Sequence, residues 1–297
     1  MPFTTTDWKL LTFPEPRKLN QSIAQLHHAA QFVALIGNSL LPKADDDSQA
    51  NLGWHFEKEA LTGQEVEVNQ KFRGALSYPT FELQLIDPND FVITRLKVDG
   101  QTKASLLNWL KKETSKVGLT AEDLQPITHF SIPEHPTDNN AAFKLIALDF
   151  HEELAKYRHN AQIILETFAQ KFEHATPVRV WPHHFDSGTY IPLSFEAPGK
   201  EDKSIGLGFA IPAGAITELY FYVYFWSKTG NEDLSDLPEL HGNGFWVTEG
   251  WKGAALKASD VLKAKTPNDQ YKMVHDFFVS AINSQMELIG ANNFQLS

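Results

Sequence analysis

The chain has 297 residues, a formal charge of −11 and no cysteine. That length suits one large domain or two of ordinary size, and the missing thiols exclude disulfides, thiolate zinc sites and cysteine nucleophiles. An acidic chain without a Lys/Arg block lacks the basic footprint that nucleic acid or an anionic membrane selects, so neither is expected as a partner.

The opening "MPFTTTDWKLLTFPEP" has no basic segment followed by an apolar one, and no apolar run approaches a membrane span. A soluble cytoplasmic protein is expected. Residues 18–41 place Ile23, Leu26, Ala30, Val33, Ile36 and Leu40 at three- and four-residue spacing, which predicts a helix with one apolar stripe. "LGWHFEKEALTG", "KFRGALSY", "FELQLI" and "FVITRLKV" then read as antiparallel strands, the last two joined by the turn Asp87-Pro88-Asn89-Asp90. Leu106, Leu110 and Val117 predict a helix over 103–117 that stops at Gly118.

Pro126, Pro133 and Pro136 make 119–140 a surface connector. A helix is predicted from about 143 to 173, where Phe150, Leu154, Tyr157, Ala161, Ile164, Phe168 and Phe172 recur at helical spacing. "VRVW", "TYIPLSF", "SIGLGFAI", "ELYFYVYFW" and "GFWVTEG" are strand candidates. Thr266-Pro267-Asn268-Asp269 supplies a cap, a first-turn proline and an acid three residues on, opening a helix that runs to Gly290. The order predicts an α+β fold of two similar helix–antiparallel sheet–helix halves, 1–125 and 143–297, joined by a connector at 126–142. Gly206-Leu207-Gly208 lacks the third glycine and following helix of a dinucleotide fingerprint, so these are expected to be strand glycines that let another backbone approach.

Three clusters are candidate sites. In "RVWPHHFDSG", an extended chain puts His184 and Asp186 on one face and His183 with Trp181 and Phe185 on the other. His184 with Asp186 as orienter is the candidate acid–base pair. A metal is not expected, because the cluster offers two or three ligands and no thiolate, and Asp186 before Ser187-Gly188 equally suits an Asx turn. "LHHAAQ" and "DDDSQANLGW" form the second cluster, with His28, Gln31, Asn51 and Trp54 as candidate ligand contacts. The acidic run lacks the glycine and terminal glutamate of an EF-hand, and a solvated capping loop is the plainer alternative. "ELYFYVYFW" is the third, where Glu218, Tyr220 and Tyr222 alternate with apolar residues and can line a pocket or complete a core.

"LHHAAQ", "DDSQANLGW", "VRVWPHHFD", "GLGF" and "LYFYVYFW" together resemble a bacterial family of conserved proteins of unknown function, over residues from about 19 to 285. The resemblance implies a shared pocket built from the polar and aromatic motifs. It implies no activity or cofactor.

The expected function is therefore small-molecule binding in a pocket between the two halves, with His28, Gln31, Asn51, Trp54, His183, Glu218, Tyr220 and Tyr222 around His184 and Asp186. One alternative is an enzyme, hydrolase-like and either acid–base or metal-assisted, that acts on a small polar substrate through His184 and Asp186. Another makes the polar motifs purely structural.

Overall fold

The computed structural model describes residues 5–291 and 296. Its elements, in chain order, are α1 (Asn20–Leu40), β1 (Gly53–His55), β2 (Ala60–Thr62), β3 (Val66–Glu67), β4 (Lys71–Ser77), β5 (Glu82–Ile86), β6 (Val92–Lys97) and α2 (Lys103–Ser115). There follow α3 (Leu148–Ala169), β7 (Arg179–Val180), β8 (Ser187–Ala197), β9 (Lys200–Ala210), β10 (Tyr220–Ser227), β11 (Phe245–Val247), β12 (Gly253–Lys257), α4 (Ala258–Val261) and α5 (Pro267–Leu288). The fold is α+β. Among the described residues no helix is long and apolar enough to cross a membrane.

The chain divides into two compact bodies, and the division differs from the expected 1–125 and 143–297. The N-terminal body holds Leu19–Ala155 and Arg179–Phe185, and the C-terminal body holds the residues up to Lys18, Lys156–Val178 and the chain from Asp186. Both exchanges have a hydrogen-bonding cause. Buried Gln270 on α5 accepts from the Leu11 N–H and donates to the Leu11 carbonyl, each at 2.9 Å, while buried Asn160 on α3 does the same with Lys9 at 2.8 and 2.7 Å. These amides tie the N-terminal segment to the later helices. Val180 donates to the Leu52 carbonyl at 2.8 Å and accepts from the Leu52 N–H at 3.0 Å, which draws 179–185 into the N-terminal body. The expected connector, 126–142, belongs to that body throughout.

In the N-terminal body the sheet runs β1-β2-β4-β5-β6, antiparallel throughout, with β3 on β4. Leu35 and Ile36 of α1, Phe72 and Leu85 of the sheet, and Leu110 of α2 form one core with Val117, Leu119 and Leu124. α2 starts on a capping box, in which Thr102 accepts from the Ser105 N–H at 3.1 Å and Ser105 Oγ accepts from the Thr102 N–H at 2.8 Å. Phe143 is not helical as expected. It is fully buried, and its backbone exchanges hydrogen bonds with Gly100 and Gln101, so α3 begins only at Leu148.

In the C-terminal body β12-β10-β9-β8 pair antiparallel and β11 pairs β12. β12 precedes β11 in the sheet, so the two sheets do not repeat one strand order. The alternation on β10 is as predicted: Phe221 and Val223 point to the helical side, where Phe221 meets Phe278 and the Val223 carbonyl accepts from Gln285 at 2.8 Å. Tyr220, Tyr222 and Tyr224 occupy the other face. Thr266 caps α5, accepting from the Asp269 N–H at 3.2 Å and donating to its carboxylate at 2.7 Å.

Candidate small-molecule site

α1 carries His27, His28 and Gln31 on the turns where its stripe meets the loops of the N-terminal body. Both histidines are buried, 3% exposed each. His28 Nε2 lies 3.0 Å from the Pro133 carbonyl, which only accepts, so Nε2 carries the proton and Nδ1 the lone pair. That lone pair receives Lys103 Nζ at 2.9 Å. Lys103 also donates to Asp138, whose other carboxylate oxygen accepts from the His135 N–H at 2.8 Å. The His135 and His28 rings lie 4.7 Å apart, and Gln25 Nε2 contacts the second ring nitrogen of His135 at 3.3 Å.

Burial, reinforced by the neighbouring Lys103 charge, lowers His28 to a pKa of about 4, so the ring is neutral near pH 7. Burial also lowers His135. Asp138 is lowered despite an opposing desolvation penalty, because Lys103 and the His135 N–H bind the carboxylate. A histidine depressed on folding stays neutral in the native state while the unfolded chain takes up a proton below about pH 6.5, so stability falls as pH drops from about 6.5 toward 4. His28→Gln keeps an acceptor for Lys103 and a donor for Pro133 without titrating. Urea unfolding at a series of pH values is expected to show a loss between pH 6.5 and 4.5 that is smaller by about 2 kcal/mol in the variant. Equal losses in both proteins would contradict the neutral assignment.

Gln31 is fixed just as narrowly. Its Nε2 donates to the Pro182 carbonyl at 2.8 Å and to the His27 carbonyl at 3.1 Å, which uses both hydrogens and leaves Oε1 as the amide's acceptor. The same Pro182 carbonyl meets His27 Nε2 at 2.9 Å, and the His27 ring stacks on Phe185 at 4.7 Å. Beside this network lies a cleft of about 370 Å³, walled by Phe32 and Leu35 of α1, Leu107 of α2, and Pro126, Ile127, Phe130 and Ile132 of the following loop. Its polar groups are Gln31, Lys103, Ser131 and Asp138. Phe130 also packs on His183 at 5.4 Å.

The expected extended run through "PHHFD" does not form. Residues 182–184 are a turn, closed by the Phe185 N–H on the Trp181 carbonyl at 2.6 Å, and Phe185 adopts a left-handed φ of 54°. Alternation therefore stops, and the His184–Asp186 face that motivated an acid–base pair is not made. His184 is exposed, its ring 4.3 Å from His183. Asp186 instead accepts from the Tyr222 hydroxyl at 2.6 Å in the C-terminal body, while its Oδ1 is buried without a hydrogen-bond partner. Burial, followed by the Asp186 charge, raises Tyr222 well above the ordinary tyrosine value and Tyr220 to about 12.

The remaining candidates are placed in the interior of their bodies. Asn51 is 2% exposed with Oδ1 unpartnered, and Trp54 packs edge-on against Tyr78 at 5.2 Å with Nε1 unpartnered. Neither lines the cleft. Glu218 is buried and accepts from the Ser259 N–H at 2.8 Å at the start of α4, which is a capping role. The acidic run is a turn: Asp46 accepts from the Ser48 N–H at 3.0 Å and Asp47 sits at a left-handed φ of 58°. The glycine expectation changes partner. A side chain at Gly206 or Gly208 would strike the rings of Tyr224 and Tyr222, not a backbone. Among the described residues no group of three or more His, Asp or Glu side chains is arranged to hold a metal ion.

Gln31 and His28 thus belong to the cleft and its polar border, and His183 adjoins one wall. Lys103, Asp138, His135 and Phe130 were absent from the sequence-derived candidates. Lys103 stands four residues before Leu107 and seven before Leu110, so a lysine on the apolar stripe of its helix was the available signal. In comparisons with models of known families, with curated proteins and with solved structures, none matches the chain.

Proposed function

We propose that the chain is a small-molecule-binding protein whose site is the cleft between α1, α2 and the 126–138 segment. The observation that carries this reading is the composition of the cleft: apolar and aromatic walls around a few fixed polar groups, in a volume of about 370 Å³. Ligand sites span about 300–1,000 Å³ and share this make-up. The polar groups are also preorganised, since Gln31 is held by two carbonyls and Lys103 by His28 and Asp138. A group already held in its bound geometry loses little freedom when a ligand arrives.

Binding is favoured over the acid–base alternative because the 182–184 turn leaves His184 exposed and Asp186 bonded to Tyr222, and at the cleft border both nitrogens of His28 are committed, Nε2 to Pro133 and Nδ1 to Lys103. A general base needs a lone pair facing the substrate. Two of the polar motifs converge beside the cleft, since "LHHAAQ" and "VRVWPHHFD" meet at Pro182, and Leu52 joins the latter through Val180. N-phenyl-1-naphthylamine, a neutral apolar fluorophore, is expected to gain fluorescence on binding the protein and to lose at least tenfold in affinity with Leu107→Trp, which fills the cleft. Binding unaffected by that substitution would place the site elsewhere.

A further inference from the structure

The same cleft carries information about the charge of what it binds, and this step rests on the proposed binding function. Lys103 has three N–H donors. One is taken by His28 Nδ1 and one by Asp138, which leaves the third without a protein acceptor among the described residues, in a cleft that Lys103 itself lines. Gln31 offers the reverse, an Oε1 acceptor whose amide partner atom has both hydrogens engaged. Beside Ser131 and the Asp138 carboxylate, the cleft therefore holds one open donor on Lys103 and one open acceptor on Gln31.

The charges around that end already balance. The Lys103 ammonium is hydrogen-bonded to the Asp138 carboxylate, and His28 contributes none because its Nδ1 lone pair is the acceptor of the Lys103 bond. An anionic ligand on the third N–H would be attracted by Lys103 but opposed by Asp138, whose carboxylate is hydrogen-bonded to the same ammonium, while surrendering part of its hydration to the apolar walls. A cationic ligand at Asp138 would meet the converse repulsion from Lys103. A neutral carbonyl fills the Lys103 donor without a net charge to desolvate, and a neutral N–H or O–H suits Gln31. We propose that the ligand is a neutral molecule of ring size, apolar in body, carrying a carbonyl acceptor for Lys103 and an N–H or O–H donor for Gln31, as an aromatic amide does.

The test compares 2-naphthamide with 2-naphthoate by calorimetric titration of the full chain near pH 7.5, in parent, Leu107→Trp and Asp138→Asn proteins. The amide is expected to bind at least fivefold more tightly than the carboxylate, with both weakened at least tenfold by Leu107→Trp. Asp138→Asn removes the repulsion and is expected to narrow or reverse the preference. Naphthoate binding as tightly as the amide, or more so, in the parent protein overturns the inference while leaving the cleft as the binding site. Failure of both compounds to bind, or indifference of both to Leu107→Trp, contradicts the binding function itself. The parent comparison needs no variant, so a poorly folded substitution does not remove the test.

Discussion

Gly208→Ala is expected to destabilise the C-terminal body by about 3 kcal/mol, a large loss for a single methyl group. A Cβ at this position would lie 2.2 Å from Tyr222 Cζ and 2.3 Å from its hydroxyl oxygen, far inside van der Waals contact. The ring has little freedom to retreat. Tyr222 is paired directly opposite Gly208 in the sheet, is flanked by Tyr224 at 6.1 Å and Trp251 at 6.2 Å, and is tethered through its hydroxyl to Asp186 at 2.6 Å. Withdrawal breaks that bond and deprives a carboxylate whose other oxygen already lacks a partner. Urea unfolding of the variant measures the loss. Stability within about 0.5 kcal/mol of the parent would mean that the tyrosine row is loosely held.

Gly37→Ala sets two effects of opposite sign against each other. In an unencumbered helix interior, alanine is favoured over glycine by about 1 kcal/mol. Here the added Cβ would lie 2.2 Å from the Gln49 carbonyl oxygen and 3.3 Å from its carbon. Backbone cannot rotate away as a side chain tip can, so α1 and the 3₁₀ turn Ser48–Ala50 must separate. A net loss of about 3 kcal/mol is expected. The separation also pulls on Leu52, whose two bonds to Val180 hold the segment leading to Pro182, so the Gln31 amide should lose its fixed orientation. Thermal and urea unfolding of the variant give the sign directly. A gain in stability would show that helix propensity wins and that the turn is not pinned to α1.

Much of this architecture follows from local pattern. The stripe from Ile23 to Leu40 required a helix at α1, the Asp87–Asp90 turn required the β5–β6 hairpin, and Thr266 with Pro267 required the start of α5. The candidate site was legible only where a polar group interrupts such a pattern, as His28 and Gln31 do on α1. The rest depends on contacts between distant parts of the chain. Lys103 and Asp138 are 35 positions apart, and His28 and Pro133 are 105 apart. Gln270 grips Leu11 across 259 positions, which is why the body boundary could not be placed from composition. The extended reading of "PHHFD" fails for a local reason: the chain turns over 182–184 and Phe185 then takes a left-handed φ of 54°, a conformation that phenylalanine as a residue type does not announce.

The central claim, that the cleft beside Gln31 and Lys103 is where this protein takes up a small neutral molecule, is tested most directly by titrating 2-naphthamide into the isotope-labelled chain and following its ¹H–¹⁵N resonances. Saturable shifts are expected for the Gln31 side-chain amide and for the Leu107, Phe130 and Ser131 backbone amides, with those of residues 206–210 unmoved. Shifts concentrated on residues 206–210 and the Tyr220–Tyr224 strand, or none at any soluble concentration, would contradict it.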